Sequence, residues 1–353
     1  MDLNLLLAFF VPAVLTAAAT PLVRALALKV RAVDYPDEPR KIQDRPVPAL
    51  GGLAVFLGFG VSLLLWVIFA PGTFGPFIKF SYLWGILAGG VILMFGGYLD
   101  DRYKLKPWQS FVAPLLAVAA VIASGVQLSY INHPLGGAIL LDTLKIWGYP
   151  LAGGVFIFLW ILGMIYTTKF LDGMDGLVSG IVGIGAIVLF FLSRLPEVSQ
   201  PDTAFLCALL AGSFLGFLPW NFFPAKIFLG EGGSTFAGFM LGVLSVISGG
   251  KIASALLIMG IPILDVFWVI LRRLSTSFSP FQADRKHLHF RLLDLGLSQR
   301  SAVLFLYFLS AAFGVSGLYL QSVGKLLALF IMLLTMLILG SFLVIAYNRK
   351  QQK

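Results

Sequence analysis

Long apolar runs alternate with short polar segments along the whole chain. Most runs hold about 20 residues, which as an α-helix is enough to cross the hydrocarbon core of a bilayer. Hydropathy divides the chain into eleven predicted helices. They cover residues 4–27, 48–70, 81–99, 109–126, 151–168, 177–193, 203–219, 234–249, 252–271, 301–320 and 325–347. The predicted fold is an all-α, polytopic integral membrane protein with a single transmembrane domain, residues 1–353.

The composition supports this prediction. Apolar residues make up 59% of the chain and charged residues only 12%, whereas a soluble domain carries about 25% charged residues. Asp2, rather than a basic segment, precedes the first apolar run, and the run is longer than the core of a signal peptide. We therefore expect this run to remain in the protein as its first membrane helix.

Positive charge orients the predicted helices. Twenty of the 25 Lys and Arg residues fall on the side that holds the C-terminus, and this bias predicts a cytoplasmic C-terminus and an external N-terminus. The segments predicted to face the cytoplasm are 28–47, 100–108, 169–176, 220–233 and 272–300. Scattered short loops of this kind are not typical of a nucleic-acid-binding surface.

Most acidic residues lie on this same predicted face. Asp100 and Asp101 end the third helix, within "GGYLDDRYKLKPW". Adjacent carboxylates stay ionised most easily beside a cation, and Mg²⁺ prefers one or two carboxylates together with substrate phosphates. The alternative is a solvated helix end that Arg102 and Lys104 neutralise.

Two glycine-rich segments carry further acids. In "KFLDGMDG", glycines allow Asp172 and Asp175 to point into one cavity, although a simple polar turn would have the same composition. In "WNFFPAKIFLGEGGS", Asn221 precedes a proline and Glu231 lies among glycines. Free amides before the next helix could bind phosphate there.

The segment "ADRKHLHFRLLDLG" carries the bases. His287, His289 and Arg291 could donate to a diphosphate, although a basic patch that contacts anionic lipid is an alternative. Zinc is disfavoured because no further His or thiolate is placed to complete a site. Arg45 adds a charge in the first predicted cytoplasmic loop, and Asp265 lies inside the ninth predicted helix, where an ionisable group suggests function.

Acids for a metal ion and cations for phosphates, at one face of a membrane, suit phosphoryl transfer between a lipid phosphate and a soluble nucleotide compound. These motifs, in this order along nearly the whole chain, resemble the polyprenyl-phosphate N-acetylhexosamine-1-phosphate transferases of glycosyltransferase family 4. "GGYLDDRYKL", "FLDGMDGL", "NFFPAKIFLGEGGS", "PILDVFWVILRR" and "DRKHLHFRL" carry the resemblance.

The resemblance implies transfer of N-acetylhexosamine 1-phosphate from a UDP-sugar to undecaprenyl or another polyprenyl phosphate. UMP would be released in this first membrane step of cell-envelope polysaccharide synthesis. The cofactor would be Mg²⁺, or else Mn²⁺, and the location the bacterial inner membrane with the site facing the cytoplasm. The histidine segment is closer to the GlcNAc-type pattern than to the MurNAc-pentapeptide type. A homodimer is left open beside a monomer.

The implied roles follow the motifs. Asp100 and Asp101 would deprotonate or orient the lipid phosphate, and Asp172 and Asp175 would complete the catalytic set. Glu231, Asp101 and Asp175 would hold the metal ion. The implied substrate-binding residues are Arg45, Lys169, Asn221, Asp265, His287, His289 and Arg291.

The chain also departs from the family pattern. Lys169 replaces an Asn, Glu231 an Asp and Phe290 a His, while Gln43 and Ala49 replace a His and an Arg. These changes leave open an altered donor or lost catalysis. A CDP-alcohol-type phosphatidyl transferase is another alternative, although Ser179 and Gly180 depart from its motif. The non-enzymatic alternative is a transporter or a partner-binding relic of the transferase fold, although the two related halves typical of transporters are not visible.

Overall fold

The computed structural model describes residues 3–37, 43–75, 77–133, 136–146, 148–249, 251–275 and 287–351. The chain is 76% helical. The helices are α1 Leu3–Lys29, α2 Gly51–Phe69, α3 Phe80–Tyr103, α4 Pro107–Ser110, α5 Val112–Ala123, α6 Leu151–Leu171, α7 Leu177–Arg194, α8 Pro201–Asn221, α9 Gly230–Ile247, α10 Ile252–Ser275, α11 Leu288–Asp294, α12 Gln299–Tyr319 and α13 Ser322–Gln351. Within the predicted segments 28–47 and 272–300, residues 38–42 and 276–286, including Asp284, Arg285 and Lys286, lie outside the described residues.

Ten helices of the described chain are long and apolar enough to cross a membrane. They correspond to ten of the eleven predicted spans and confirm an all-α, multi-pass membrane protein. The exception is the predicted span 109–126, which is the short α4 followed by α5. Gly125 has a φ of 97° and ends this segment in the left-handed conformation that closes many helices. The 12 residues of α5 reach about 18 Å, less than the roughly 30 Å of a bilayer core.

Helix α5 nevertheless runs beside α3 in the opposite direction. Gly96 near the end of α3 lies against Ala113, and Gly85 near its start lies against Ser124. Two hairpins, β3 Tyr130–Asn132 with β4 Ala138–Leu140 and β5 Lys145–Ile146 with β6 Tyr149–Pro150, then lead into α6. The chain therefore returns along α4 and α5 to the end of the bundle where α3 starts, and the two hairpins follow there before α6.

The inner helices are α7, α8 and α9, of which α9 is the most buried, and α13 is the most exposed of the ten. Every residue of α9 from Gly232 to Val246 is buried, which is typical of a helix inside a bundle. Phe236 of α9 packs edge-on against Phe56 and Phe59 of α2, with ring centroids 5.5 and 5.9 Å apart.

One end of the bundle collects the predicted site, and we call it the site end. Helices α1, α3, α6, α8 and α10 finish there, and α2, α7, α9 and α12 begin there. A two-residue hairpin, β1 Val33–Asp34 with β2 Val47–Pro48, leads from α1 into α2. The amide of Phe228 donates to the carbonyl of Pro48 at 2.8 Å, so this hairpin is joined to the segment before α9.

Candidate active site

Glycines bring three helices into backbone contact at the site end. A Cβ on Gly52 of α2 would lie 2.2 Å from the Cα of Gly233 in α9. One on Gly97 of α3 would lie 2.1 Å from the amide nitrogen of Gly232. Only glycine allows this approach, and it places the end of α3 directly against the first turn of α9.

Asp101 uses this approach to cap α9. Its Oδ2 accepts from the backbone N–H of Glu231 at 3.1 Å. A carboxylate is favourable at a helix N-terminus, where free N–H groups carry partial positive charge. The capping contact therefore fixes Asp101 and Glu231 relative to each other.

Asp100 binds the segment that follows α3. Its Oδ1 accepts from the amide of Leu105 at 2.9 Å, and its Oδ2 accepts from the Ser110 hydroxyl at 3.2 Å. The Ser110 hydroxyl also lies 3.4 Å from Oε1 of Glu231. Ser110 thus links carboxylates from two helices, a role for which a single serine after "KPWQ" carries no sequence signal.

Lys169, in the last turn of α6, joins this group. Its ammonium lies 2.5 Å from Oε1 of Glu231 and 2.8 Å from Oγ of Ser110. The ring of Tyr166, one turn earlier, lies 5.7 Å from the ammonium, within the range of a cation–π contact. We call Asp100, Asp101, Ser110, Lys169 and Glu231 the charge cluster. Tyr166 borders it and, like Ser110, was not predicted.

The predicted aspartate segment follows α6 directly. Oδ2 of Asp175 accepts from the amide of Ala225 at 2.8 Å. Gly176 has a φ of 78°, and its carbonyl accepts a hydrogen bond from the hydroxyl of Tyr307. This segment is therefore held from two sides, by the turn after α8 and by α12.

Burial and neighbouring charge make Asp172 and Asp175 unusually basic. Burial raises the pKa of the Asp172 carboxyl to about 8, with added repulsion from Glu231 and Asp175. Burial also raises the pKa of Asp175, although the Ala225 amide and the Arg45 charge oppose the shift. Exposed Arg45 therefore acts electrostatically on Asp175, and its contact with substrate stays a prediction.

The side-chain amide of Asn221 forms hydrogen bonds within the protein through both its oxygen and its nitrogen. Its Oδ1 accepts from the Ser179 hydroxyl at 2.8 Å, and its Nδ2 donates to the carbonyl of Ile227 at 3.1 Å. It therefore holds the turn between α8 and α9 in place. A direct contact of Asn221 with substrate stays a prediction.

Asp265 positions the histidine segment. Its Oδ2 lies 2.9 Å from Nδ1 of His287, and its Oδ1 accepts from the amide of Leu288 at 2.8 Å. The Asp265 and His287 side chains are 8% and 7% exposed. This pair fixes the start of α11, so the buried acid that the sequence singles out acts here on a histidine.

His289 faces the aspartate segment. A Cβ on Gly173 would lie 2.5 Å from Nε2 of His289. The His289 side chain is buried, and neither ring nitrogen has a hydrogen-bond partner among the described residues. Burial lowers its pKa to about 3, against the opposing charge of Asp265. His289 is thus a neutral imidazole with an unused donor beside Gly173. Arg291 lies half-buried in the same helix.

Replacing Asp265 by Asn is expected to lower the free energy of unfolding by about 1–3 kcal/mol, because an amide cannot accept from both His287 and Leu288. A double-mutant cycle with His287→Ala tests the contact through denaturation in detergent. We expect a coupling energy above about 0.5 kcal/mol. Additive effects of the two substitutions would contradict a positioning role for Asp265.

The donor chemistry of the charge cluster suits Mg²⁺, but its arrangement does not. The described residues contain no three His, Cys, Asp or Glu side chains placed so that they could share a metal ion. Oδ2 of Asp175 accepts from the Ala225 amide, and Oε1 of Glu231 contacts the Lys169 ammonium. We therefore derive no step through a metal ion, and metal binding stays a prediction.

Comparisons with known proteins identify the family of this chain. A family model described as glycosyl transferase family 4 matches residues 83–249. A probable undecaprenyl-phosphate N-acetylglucosaminyl 1-phosphate transferase of Bacillus subtilis is 32% identical, over 93% of this chain and 88% of the relative. A decaprenyl-phosphate N-acetylglucosaminephosphotransferase of Mycolicibacterium smegmatis is 35% identical, over 84% and 77%.

A third relative shows that the likeness extends across distant bacteria. An undecaprenyl-phosphate alpha-N-acetylglucosaminyl 1-phosphate transferase of Thermotoga maritima is 31% identical, over 87% of this chain and 88% of the relative. These matches cover most of the length of each protein, so the likeness is one of whole chains. The chain belongs to glycosyl transferase family 4, the superfamily of polyprenyl-phosphate N-acetylhexosamine-1-phosphate transferases.

Proposed function

We propose that this protein transfers GlcNAc 1-phosphate from UDP-GlcNAc to a polyprenyl phosphate and releases UMP. The observation that carries the proposal is the charge cluster at one end of a membrane bundle, with an apolar cavity beside it. The relatives named for this reaction, with undecaprenyl or decaprenyl acceptors, support the choice of sugar and lipid.

In the proposed reaction, an oxygen of the lipid phosphate forms a bond to the β-phosphorus of the donor. The bond from that phosphorus to the oxygen bridging it to the α-phosphate breaks, and UMP leaves with the electron pair. Positioning and neutralisation of charge dominate catalysis of this kind. Lys169, Arg45 and Arg291 supply positive charge, and the neutral His289 supplies an N–H donor.

Asp172 is the carboxylate best suited to receive the proton of the lipid phosphate. Its pKa of about 8 lies close to neutral pH, where a general base works best. The oxygens of Asp100 bond to Leu105 and Ser110, and those of Asp101 to the Glu231 amide. These two residues are therefore better placed to hold the site together than to carry a proton.

An apolar cavity of about 230 Å³ supports a lipid acceptor. It lies between α1, α2, α3 and α9 and reaches Asp101. Leu26, Leu53, Met94 and Tyr98 are among its lining residues. An isoprenoid chain in this cavity would bring its phosphate to the charge cluster.

The Leu26→Trp variant is expected to raise KM for undecaprenyl phosphate about tenfold, because the larger side chain occupies space that the isoprenoid would otherwise fill. Leu22→Trp, one turn away on α1, is the matched control. Leu22 is 73% exposed and does not line the cavity. Steady-state kinetics across acceptor concentrations would compare KM for the two variants. Equal KM values would exclude this cavity as the lipid site.

The site end is proposed to face the cytoplasm of a bacterial inner membrane. The excess of Lys and Arg on the side with the C-terminus supports this orientation. Labelling of single cysteines in right-side-out vesicles tests it. A Cys at exposed Trp108, at the site end, should resist an impermeant maleimide, and a Cys at exposed Tyr319, at the opposite end, should react.

The reaction is tested with purified protein in detergent and undecaprenyl phosphate. A panel of UDP-N-acetylhexosamines is supplied with Mg²⁺, with Mn²⁺ and with chelator, and released UMP is measured. We expect release with UDP-GlcNAc. Release from another UDP-sugar alone would identify a different donor. CDP-diacylglycerol is supplied in a separate reaction, and folded protein that releases only CMP from it would belong to a different reaction class.

A further inference from the structure

Lys169 occupies the centre of the charge cluster. Its ammonium contacts Glu231 from α9 and Ser110 from α4, and Ser110 in turn contacts Asp100 from α3. The side chains of Lys169 and Glu231 are only 22% and 15% exposed. Four helices therefore converge on one positive charge, which distinguishes this contact from an ordinary surface ion pair.

The surrounding charges are mainly negative. Asp100 and Glu231 both act electrostatically on Asp101, and Glu231 acts on Asp172. Lys104 also acts on Asp101, but its ammonium lies outside the cluster, 3.8 Å from Asp34, and its side chain is 66% exposed. Lys169 is thus the cation that the cluster itself holds among the described residues.

Lys169 also has the reach and the support to stay there. It lies in the last turn of α6, where a cation is favourable, and the Tyr166 ring flanks its ammonium. Glu231 is one methylene longer than the Asp of the family pattern, which extends its carboxylate from the start of α9 toward α6. Lys169 and Glu231 are therefore a matched pair of departures rather than two separate ones.

We propose that Lys169 is the resident cation of this site and that it excludes a divalent metal ion from Glu231. Mg²⁺ binds oxygen at about 2.0–2.1 Å in octahedral geometry, and a Glu231 oxygen in contact with an ammonium cannot also accept such an ion without strong repulsion. An ammonium has three donors. Glu231 and Ser110 take two of them, and the third is left for a phosphate oxygen of the donor. This last role rests on the proposed function, whereas exclusion of the metal does not.

Binding of Mn²⁺ to purified protein in detergent tests the exclusion, because the electron paramagnetic resonance signal of free Mn²⁺ falls as the ion is bound. We expect Lys169→Asn to bind Mn²⁺ at least about tenfold more tightly than the unmodified protein, since one positive charge has left the cluster. Lys169→Met should show the same direction. Adding Glu231→Gln to Lys169→Asn should abolish the gain.

Lys104→Met is the matched control, because it removes one positive charge from the same end of the bundle without touching Glu231. Its Mn²⁺ affinity should stay within about twofold of the unmodified protein, since exposed charges are screened. A gain equal to that of Lys169→Asn would show a general effect of charge and overturn the proposal.

Two further results would overturn it. One is equal Mn²⁺ affinity in the unmodified protein and in both Lys169 variants, with thermal unfolding showing that all are folded. The other is tight binding by the unmodified protein that Glu231→Gln removes. Metal binding is measured without substrates, so failure of this proposal and failure of the transferase assay are separate results.

Discussion

Replacing Asp101 by Asn is expected to lower kcat by a factor on the order of 10³, within the range typical of a positioned charge at an active site. Asp101 holds the amide of Glu231 at the start of α9 and reaches the apolar cavity. An amide side chain can keep a neutral hydrogen bond there but loses the charge. The released UMP, measured at saturating donor and acceptor, gives the effect directly.

Asp202 supplies a matched control for this substitution. It is buried, and its Oδ2 accepts from the amides of Gly75 at 2.8 Å and Ile78 at 3.3 Å, at the opposite end of the bundle. We expect Asp202→Asn to lower the unfolding temperature about as much as Asp101→Asn does. It should leave kcat within about twofold, since a buried residue far from the active site contributes mainly to stability. An equal loss of kcat in both variants would assign the Asp101 effect to folding.

The Asp172→Asn variant is expected to lose about 10²–10⁴ in kcat and to change how stability depends on pH. Asp172 has an ordinary pKa of 3.8 in the unfolded chain and about 8 in the folded protein. Between these values, the folded protein keeps a proton that the unfolded chain has released, so stability falls as pH rises. The amide side chain of the variant does not ionise and escapes this loss.

Thermal unfolding in detergent from pH 4 to 9 measures the second effect. The advantage of Asp172→Asn over the unmodified protein should grow from about pH 4 to about pH 8 and stay constant above that, because the carboxyl is ionised in both states above its folded pKa. Asp142, an acid at the opposite end of the bundle, gives the control substitution Asp142→Asn. A constant difference across the pH range would contradict the raised pKa of Asp172.

Most of the fold could be predicted because lipid imposes a simple pattern. Ten spans follow from apolar runs that each fill a bilayer. The segment 109–126 was predicted as one span, but its hydropathy does not reveal the break at Phe111 that divides it into α4 and α5. The strands of two or three residues at 130–150 are too short to show alternation.

The sequence predicted which residues form the site better than it predicted the contacts between them. The sequence places Asp100, Asp101, Lys169 and Glu231 at one end of the bundle, and the structure brings them together. The sequence alone could not reveal that Lys169 pairs with Glu231, because the pairing depends on how α6 and α9 cross. Ser110 and Tyr307 were missed because one hydroxyl in an apolar helix carries no pattern. Asp265 was found because it lies inside an apolar span, but its partner His287 lies 22 residues away.

The order of the charge cluster along the chain has a consequence for membrane insertion. Asp100 and Asp101 leave the ribosome long before Lys169, and Glu231 follows only after another 62 residues, as their numbers show. Because each of these residues lies at a helix end, its charge can remain in water at the membrane face until the helices that carry its partners have been inserted. Insertion of the early helices therefore need not carry an unpaired charge into lipid, and a nascent chain that stops before α9 has no assembled site.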